Sequence, residues 1–570
     1  MMKQRLERFF KNDRIKDWVL AGVVIFFVLV AARPFFSGEI RHMEDNQSAL
    51  VRAVGVAHVW QDGQVAGRWL PDINLGYGYP LLNFYAPLFS YLTAALGLLL
   101  NQYMLALNLV VIFGFLFSGM AMYWFAREYW GRAGGVLSAV AYLFAPFHLC
   151  DIYLRSANAE FLAFAFLPFM AWRYKRLVDE RTIPAFLWAV VATGGLILCH
   201  NIMTVFFFPV MMFYVLFLCA LSPRDWLNKL LLSAGAVVLA MGVTAYFWLP
   251  AFVETAHVTI YRNFVGAWDY HHHFMTFKQL ITAPWTYGGI SWGMGRSFKL
   301  GEAHLWMVGL VVAVLPFFWR SDRKKVLHGY FWFVVGVFLA FMTLKNSIPL
   351  WDGFFLAKYI QYPWRLFVII CFIMAFLVGG MACWCKDWKK WLITAVAIAI
   401  ILGMNNQFVG IAEYKSYDLK DIRTFLFNSR PSDNMEYLPV DVKHIPMVAP
   451  QQRYEVVRGL AQIRDPRRIW GVWHEFIVDA KSPAVVAFHQ FFFPGWQVYV
   501  DKAPVKILSD NPYGMILFVV PPGEHAVKIV FGHTPVRVAG EIMSAVSACL
   551  LMIIFLWAIL RRRRGTSSLA

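Results

Sequence analysis

The sequence predicts a polytopic α-helical membrane protein that carries a β-sandwich-like domain near its C-terminal end. Of its 570 residues, 59% are hydrophobic and only 15% are charged, a balance far too apolar for a soluble globular chain. Many apolar runs are about 20 residues long, the length that crosses the hydrocarbon core of a membrane. The net charge of +18 does not indicate a nucleic-acid partner, because the basic residues punctuate the apolar runs.

The positive charges between the apolar runs decide which runs cross. The candidate runs are 18–35, 84–100, 104–126, 134–154, 161–172, 183–199, 202–221, 230–252, 305–319, 326–344, 366–385, 392–404 and 538–560. If all of them cross, the basic loops at 173–181 and 320–325 fall opposite the basic N-terminus, against the positive-inside rule. If 84–100 lies along the outer interface instead, every basic segment becomes cytoplasmic. We therefore expect about twelve spans plus outer juxtamembrane helices, with both termini cytoplasmic.

The chain divides into three predicted parts. Residues 1–407 form a transmembrane module whose first outer loop is 34–83. Residues 408–535 form an extracytoplasmic, mostly β domain, because runs such as AVVAFHQF, WQVYVD and MILFVV alternate with the turn signals KSP, DNPYG and PPGE. This segment contains no cysteine, so disulfides cannot stabilise it. Residues 536–570 form a final span and a cytoplasmic tail with four consecutive arginines.

The first outer loop holds the residues best suited to chemistry. Glu44 and Asp45 follow His42 and precede Arg52 by about two helical turns. A carboxylate in this position can act as general base while the arginine neutralises a phosphate. The alternative is that exported loops are simply polar, and the residues alone do not decide between the two.

Two very short outer turns form a second group of candidates. In CDIYLRSANAEF, Asp151, Arg155 and Glu160 stand between two spans, where charges are costly unless they are paired. An Asp151–Arg155 pair at i,i+4 spacing is one interpretation, and a phosphate or sugar site is the other. His200 and Asn201 could extend such a site, although capping of the following helix is the favoured interpretation.

Further cations and histidines lie in the later outer loops. His257 and Arg262 belong to the loop at 254–304, and Lys358 belongs to AKYIQYPWRL. Lys358 and Arg365 could reach a lipid phosphate, although snorkelling to the interface is the simpler account. Three adjacent histidines in WDYHHHF raise the question of a metal, but ligands need spacing that lets them converge on one ion. The sequence therefore does not decide whether a divalent metal binds.

No P-loop or HExxH motif occurs in the sequence, so ATP-driven work is unsupported. Catalysis would then need a substrate that is already activated and already outside. Because the charged residues cluster at span boundaries and few lie near the midplane, interfacial chemistry is favoured over a transporter or lipid flippase.

Several motifs resemble a known family. EDNQSALVRA, GRWLPDINLGYGYPLLNFYAPLFSYL, DIYLRSANAEFLAFAFLP, EYLP at 436–439 and FFPGWQVYVD resemble the bacterial membrane proteins labelled as 6-pyruvoyl-tetrahydropterin-synthase-related. That family is in turn similar to the YfhO-like branch of the GT-C glycosyltransferase superfamily. The resemblance runs along nearly the whole chain, and GYGYPLLNFYAPL is its most specific block.

The resemblance implies a GT-C-like fold in the bacterial cytoplasmic membrane and an outward-facing glycosyl transfer. The donor would be a polyprenyl-phosphate sugar, and the acceptor an exported glycan, lipid or protein. By match to the motif, Asp45 takes the role of the catalytic acid with Glu44 beside it, while Arg52 falls on the motif arginine. The family often has a histidine four residues after the aspartate, where this chain has Ala49. A non-catalytic scaffold that binds lipid-linked sugars is therefore an alternative.

Overall fold

The computed structural model describes residues 13–37, 40–41, 44–260, 269–282, 298–354, 357–410, 414–428 and 435–566. In this part of the chain the helices are α1 (Asp13–Ala32), α2 (Glu44–Gln61), α3 (Leu81–Phe84), α4 (Leu88–Leu100), α5 (Tyr103–Leu143), α6 (Pro146–Tyr153), α7 (Asn158–Glu180), α8 (Ile183–Cys199), α9 (Asn201–Leu221), α10 (Trp226–Val243), α11 (Ala245–Val253), α12 (Phe277–Ile281), α13 (Glu302–Val314), α14 (Arg323–Met342), α15 (Ile348–Asp352), α16 (Ala357–Ile360), α17 (Phe367–Val378), α18 (Lys389–Asn405), α19 (Leu419–Asn428) and α20 (Pro535–Thr566). Eight helices of the described part are long and apolar enough to cross a membrane. The predicted helical membrane protein is thus confirmed, while the number of spans stays a prediction.

Helix α5 is a helical hairpin that folds back on itself at Gly131. This glycine has φ +71°, a left-handed conformation that other residues rarely adopt. Gly119 and Leu143, each twelve residues from the fold, lie side by side, since a Cβ at Gly119 would be 3.1 Å from Leu143. The second arm then ends at Leu143, and Pro146 starts the separate helix α6. The predicted span 134–154 is therefore interrupted by the break before this proline.

The basic loops meet at one end of the helical body, which we call the basic end. Asp17 of α1 pairs with Arg127 at 2.8 Å and with Arg132 at 2.6 Å, on either side of the hairpin fold. Glu128 pairs with Arg176, near the end of α7, at 2.5 Å. These loops therefore share a side, as the positive-inside argument requires. That this side is cytoplasmic stays a prediction.

Helix α4 begins and ends at the opposite end of the body, which we call the cavity end. Ser90, in its first turn, lines the same cavity as Arg155. Its last residue, Leu100, is followed almost directly by α5, whose Met104 Sδ accepts a hydrogen bond from the Tyr417 N–H of the exported segment at 3.2 Å. A helix whose two ends lie on the same side does not cross, in agreement with the juxtamembrane position expected for 84–100.

The C-terminal part forms the expected β domain. Its strands are β3 (Tyr454–Arg458), β4 (Ala461–Trp470), β5 (Trp473–Ala480), β6 (Ala484–Phe491), β7 (Trp496–Val500), β8 (Ala503–Val505), β9 (Met515–Val520) and β10 (Gly523–Phe531), while β1 (Ile40–Arg41) and β2 (Tyr414–Lys415) pair separately. The antiparallel sheets have the orders β4-β5-β10-β7-β8 and β3-β6-β9. Val478 and Val498 of the first sheet share one buried core with Phe488 and Phe518 of the second. The sheets therefore pack face to face, and the predicted β-sandwich-like domain is confirmed.

The β domain packs against the GYGYP turn of the predicted first outer loop. Trp69 Nε1 donates to Gln490 Oε1 at 2.8 Å, and Gln490 Nε2 donates to the carbonyl groups of Pro71 and Gly76 at 3.0 and 2.5 Å. Gly78 has φ +84°, and a Cβ there would lie 2.4 Å from Gln490. The turn therefore requires glycine both for its backbone and for the close approach of the domain.

A buried charged network joins the same loop to the last helix. Glu254 Oε2 accepts from Arg537 Nη2 at 2.9 Å and from Asn83 Nδ2 at 2.7 Å, and Arg68 Nη1 donates to Asn83 Oδ1 at 3.2 Å. Glu254 and Arg537 are almost fully buried. The network fixes the start of α20 against the cavity end.

The first part of the predicted exported segment packs with the helices and not with the β-sandwich. Tyr417 accepts a hydrogen bond from Gln47 Nε2 of α2 at 2.8 Å, and Ile422 of α19 is buried in the helical core. The boundaries at 407 and 535 stay predictions.

Candidate functional site

A cavity of about 430 Å³ opens at the cavity end, where turns from distant parts of the chain meet. Its polar lining comes from α2, from the turn before α7, from the start of α9, from the 3₁₀ turn Pro363–Leu366 and from the exported segment. The residues that define its chemistry are Arg52, Arg155, Glu160, His200, Asn201, Arg365, Glu436 and Tyr437. Ile202 and Val205 extend the lining along α9, and Val205 is exposed. The cavity thus has apolar lining residues beside its polar ones.

Helix α2 presents one face to the cavity. Ala49 and Arg52 both line it, and position 45 lies one helical turn before Ala49 on the same face. The guanidinium of Arg52 lies over the Tyr85 ring at 4.4 Å from its centroid. The residue that replaces the family histidine, Ala49, therefore occupies the cavity wall itself.

Arg155 is held by two buried carboxylates. Its Nη1 donates to Asp151 and, at 2.9 Å, to Glu160 Oε1, while Nη2 donates to Glu160 Oε2 at 3.3 Å. The Trp364 ring packs over the guanidinium at 4.5 Å. The predicted Asp151–Arg155 pair is thus present, and Arg155 also lines the cavity. A phosphate or sugar site at this turn stays a prediction.

Glu160 is shared by a second arginine. Arg365 Nε lies 3.3 Å from Glu160 Oε2, and Arg365 Nη1 donates to the Ile360 carbonyl at 3.1 Å. Burial alone would raise the pKa of Glu160, but the attraction of Arg155 and Arg365 outweighs it and lowers that pKa. Glu160 is therefore ionised at neutral pH and joins two cations at the cavity wall.

His200 both caps a helix and lines the cavity. Its Nδ1 accepts the Met203 N–H at 3.2 Å, as the capping interpretation predicts. Its Nε2 lies 3.9 Å from Glu160 Oε2. Burial, opposed by Glu160 and reinforced by Arg365 and Arg155, lowers the pKa of His200 to about 4, so the ring is neutral at neutral pH.

The segment that is predicted to be exported completes the cavity wall with Glu436 and Tyr437. The Tyr437 ring stacks on Phe84 with centroids 5.3 Å apart, and its N–H donates to the Tyr79 hydroxyl at 3.1 Å. Tyr79 and Phe84 belong to the GYGYPLLNFYAPL block, so this block and the EYLP motif meet at this wall. In the sequence, EYLP stood out only as one motif of the family resemblance. Its occurrence together with the GYGYPLLNFYAPL block was the signal that could have placed both motifs at one site.

The chain matches a protein family over more than half of its length. Residues 82–413 match the family described as 6-pyruvoyl-tetrahydropterin synthase related domain, a membrane protein. The chain belongs to this family. A curated relative, an uncharacterized protein of Lactococcus lactis subsp. cremoris (strain MG1363), is 23% identical over 235 residues, which are 40% of this chain and 38% of the relative. The match thus spans well under half of that relative.

Solved structures of membrane glycosyltransferases are similar at low identity. ArnT from Cupriavidus metallidurans, bound to undecaprenyl phosphate, is 14% identical, with 67% of this chain and 64% of that chain covered and a TM-score of 0.40. Arabinofuranosyltransferase AftD from Mycobacteria is 13% identical, with 70% and 27% covered and a TM-score of 0.41. The Archaeoglobus fulgidus oligosaccharyltransferase is 11% identical, with 77% and 62% covered and a TM-score of 0.45. Similarities at these identities and TM-scores decide neither the fold nor the function of this family member.

The structure brings together four of the residues predicted for the site of this family member. Arg52, Arg155, Glu160 and His200 line one cavity. His257 is exposed in the 3₁₀ turn Glu254–His257 and does not line it. His42 and Arg262 lie outside the described residues, as do the side chains of Glu44, Asp45 and Lys358.

No group of three or more His, Cys, Asp or Glu side chains within the described ranges is arranged to hold a metal ion. In the triple-histidine run, His271 Nδ1 contacts Asp269 at 2.6 Å and His271 Nε2 contacts Asp352 at 3.0 Å. These contacts tie the 3₁₀ turn Tyr270–His273 to the end of α15.

Proposed function

We propose that the protein is a membrane glycosyltransferase that moves a sugar from a polyprenyl-phosphate donor to an acceptor outside the cytoplasmic membrane. The sequence resemblance to the YfhO-like branch of the GT-C superfamily supports the reaction class. The acceptor would be a glycan, lipid or protein of the bacterial cell envelope, and both termini of the enzyme would be cytoplasmic. Membrane lipids surround the enzyme, and the scheme involves no nucleic acid.

The observation that carries the proposal is the composition of the single cavity described above. It combines the α2 face that bears Ala49 and Arg52 with the cations Arg155 and Arg365 at its far wall, and the apolar residues Ile202 and Val205 of α9 also line it. An isoprenoid phosphate has the matching shape, with an anionic head and an apolar tail. Two facing polar walls also leave room for an acceptor hydroxyl next to the head group.

In this scheme Asp45 is the general base and Glu44 is its acidic neighbour. The acceptor hydroxyl loses its proton to Asp45 as its oxygen attacks the anomeric carbon of the donor. The bond from that carbon to the phosphate oxygen breaks, and the electron pair leaves with the polyprenyl phosphate. Arg52 and the cations of the far wall stabilise this charge.

The remaining sequence candidates take supporting roles in the proposal. Arg262 and Lys358 would approach the lipid phosphate from the outer loops, and His42 and His257 would flank the acceptor side. Asp151 and Glu160 would set the charge of Arg155. A divalent metal could assist the departure of the phosphate, and its need is tested directly below.

The test uses the full-length protein in nanodiscs with a panel of radiolabelled polyprenyl-phosphate sugars and a bacterial envelope extract as acceptor. We expect transfer of label from one donor of the panel, and loss of transfer in Asp45→Asn with a smaller loss in Glu44→Gln. The matched control is Asp510→Asn, which makes the same carboxylate-to-amide change at an exposed position of the β domain. Unchanged transfer in both loop variants would contradict the assignment, and an EDTA arm decides whether a divalent cation is required.

A second candidate is a non-catalytic scaffold that binds lipid-linked sugars, and the position of Ala49 favours it. This residue stands in the cavity wall where the family motif often has a histidine. The same assay separates the two, because a scaffold binds the donor without releasing polyprenyl phosphate.

A further inference from the structure

We propose that His200 and Arg365 form a two-donor subsite for a phosphate group, on the cavity wall beside Glu160. This proposal rests on the glycosyltransferase function proposed above and names the residues that hold the donor phosphate. It assigns the contact to Arg365 and His200, and not to Arg155, which the sequence favoured.

The capping contact of His200 fixes where its proton lies. Because Nδ1 accepts the Met203 N–H at 3.2 Å, Nδ1 carries no proton in the neutral ring, and the proton resides on Nε2. Since His200 lines the cavity, the Nε2–H is the ring donor that it has left for a ligand. At 3.9 Å its contact with Glu160 Oε2 is too long for a hydrogen bond, and no other bond to Nε2 occurs in the described part of the chain.

Arg365 offers a second donor to the same place. Its Nε is buried, and although it is only 3.3 Å from Glu160 Oε2, it has no hydrogen bond among the described residues. Buried donors without a partner are costly, and they are commonly completed by a water or a ligand. The Arg365 guanidinium lies over the Tyr362 ring at 4.8 Å, which fixes its orientation.

Arg155 is less able to bind a ligand, although it lies in the same cluster. Its Nη1 and Nη2 groups already donate to Asp151 and Glu160, and Trp364 covers its guanidinium. Asp151 and Glu160 together balance the charges of Arg155 and Arg365, so the cluster is neutral before a ligand binds. Of the two arginines, Arg365 is the one with a buried donor, its Nε, that has no hydrogen bond among the described residues.

The surroundings also favour an anion with a lipid tail. The N-terminus of α9, a helix of 21 residues, faces the cavity with Asn201 and Ile202, and the partial positive charge of a helix N-terminus attracts phosphate. Val205 lines the cavity one turn further along α9 and is exposed. An apolar chain attached to the phosphate would lie against this stretch of α9.

The experiment measures binding of a polyprenyl monophosphate to the full-length protein in nanodiscs, with His200→Asn and His200→Gln as a matched pair. Asparagine is a good N-cap, so it keeps the bond to Met203 but loses the Nε2 donor. Glutamine places an N–H near the position of Nε2 but loses the cap. We expect His200→Asn to raise Kd about tenfold at an unchanged melting temperature, and His200→Gln to keep the Kd within about threefold at a lower melting temperature.

The remaining arms separate this subsite from a structural role and from binding of the tail alone. Arg365→Gln should raise Kd at least about tenfold, and Arg458→Gln, an exposed arginine of β3, should leave it unchanged. Inorganic phosphate as competitor and a polyprenyl alcohol as phosphate-free ligand identify the source. Competition by inorganic phosphate with no binding of the alcohol supports a lipid headgroup, and equal affinity for inorganic phosphate and the lipid assigns the subsite to free phosphate.

The proposal is overturned if His200→Asn binds as the native protein does, if both His200 variants lose affinity equally, or if the alcohol binds as well as the phosphate. Failure of native protein to bind any phosphate ligand also overturns it. If native protein binds the lipid phosphate but transfers no sugar, the proposed function fails while the subsite stands. If sugar transfer is observed and His200→Asn leaves both binding and transfer unchanged, the function stands while the subsite fails.

Discussion

Substitution of Glu160 by glutamine tests how much the charge cluster contributes to stability. The Glu160 side chain is only 2% exposed, and it accepts two charge-assisted hydrogen bonds from Arg155. Each such bond contributes about 1.5–3 kcal/mol, and glutamine can retain only one acceptor. The substitution also removes the carboxylate that Arg155 and Arg365 share and leaves Asp151 as the remaining partner of Arg155, and breaking a buried ion pair costs about 3–5 kcal/mol. We therefore expect the free energy of unfolding to fall by about 3 kcal/mol.

The assay is thermal unfolding followed with a thiol-reactive fluorophore. Cys150 and Cys199 are fully buried immediately beside Asp151 and His200, so they react when this part of the protein opens. The exposed Cys549 reacts in the folded protein and sets the baseline, and Glu160→Gln should rise above this baseline at a lower temperature than the native protein. Asp510→Asn, which removes an exposed partner of Lys443, should not change the curve. Equal melting temperatures for Glu160→Gln and the native protein would refute the reasoning.

The same pair of proteins should show a defined pH dependence. Arg155 and Arg365 lower the pKa of Glu160 in the folded protein against the opposing effect of burial. Its carboxylate therefore makes its full contribution to stability at pH values above about 4.5, the ordinary pKa of a glutamate. That stabilisation is lost as the pH falls from there through the lowered pKa of the folded state. The difference in melting temperature between native protein and Glu160→Gln should thus be constant near neutral pH and shrink in acid. A difference that grows in acid would contradict this sign.

Three further substitutions test the fold around the site. Gly78→Ala should lower the free energy of unfolding by about 2–4 kcal/mol in the same melting assay, because its Cβ would meet Gln490 at 2.4 Å and its φ is +84°. Gly131→Ala should lower the free energy of unfolding by only about 1–2 kcal/mol, since its φ is +71° but no atom lies within 4 Å of the added Cβ. Equal losses of stability at the two glycines would contradict this reasoning. Arg537→Met should lower the free energy of unfolding by about 3–5 kcal/mol, because it leaves Glu254 buried without its cation. Adding Glu254→Gln should recover part of this loss in a double-mutant cycle. Purely additive losses would show that the two residues do not interact.

The helical body and the β domain were predictable from the sequence because each depends on local patterns. Apolar length identifies the helices, and the positive-inside rule identified 84–100 as the helix that does not cross. The alternation of buried residues along β5 follows directly from the alternation of apolar residues in the sequence. The hairpin fold at Gly131 was predictable only as a loop, since its left-handed backbone depends on how the two arms pack.

The site was predictable only in part because its walls come from distant segments. The turn at Arg155 and Glu160 stood out, since charges between two spans need a partner. Arg365 was interpreted as snorkelling, and nothing near it in the sequence indicates that it meets Glu160. Glu436 reaches the cavity through the stack of Tyr437 on Phe84, a tertiary contact that no local pattern reveals.

His200 shows why two interpretations of one residue need not exclude each other. The short turn before α9 correctly predicted a helix cap, and the structure has that cap through Nδ1. The residue also lines the cavity, and its second ring nitrogen takes no part in the cap. The catalytic roles of Asp45 and Glu44 stay predictions.

The measurement that tests the account most directly is the release of polyprenyl phosphate from a polyprenyl-phosphate sugar, quantified by mass spectrometry of the lipid fraction. Native protein in nanodiscs with an envelope extract should release the lipid phosphate while the sugar appears on an extract component. Asp45→Asn should be slower by a factor of about 10² to 10⁴, the usual contribution of a general base, while it still binds the lipid phosphate. Equal release by Asp45→Asn and native protein, or no release by native protein from any donor of the panel, would contradict the account.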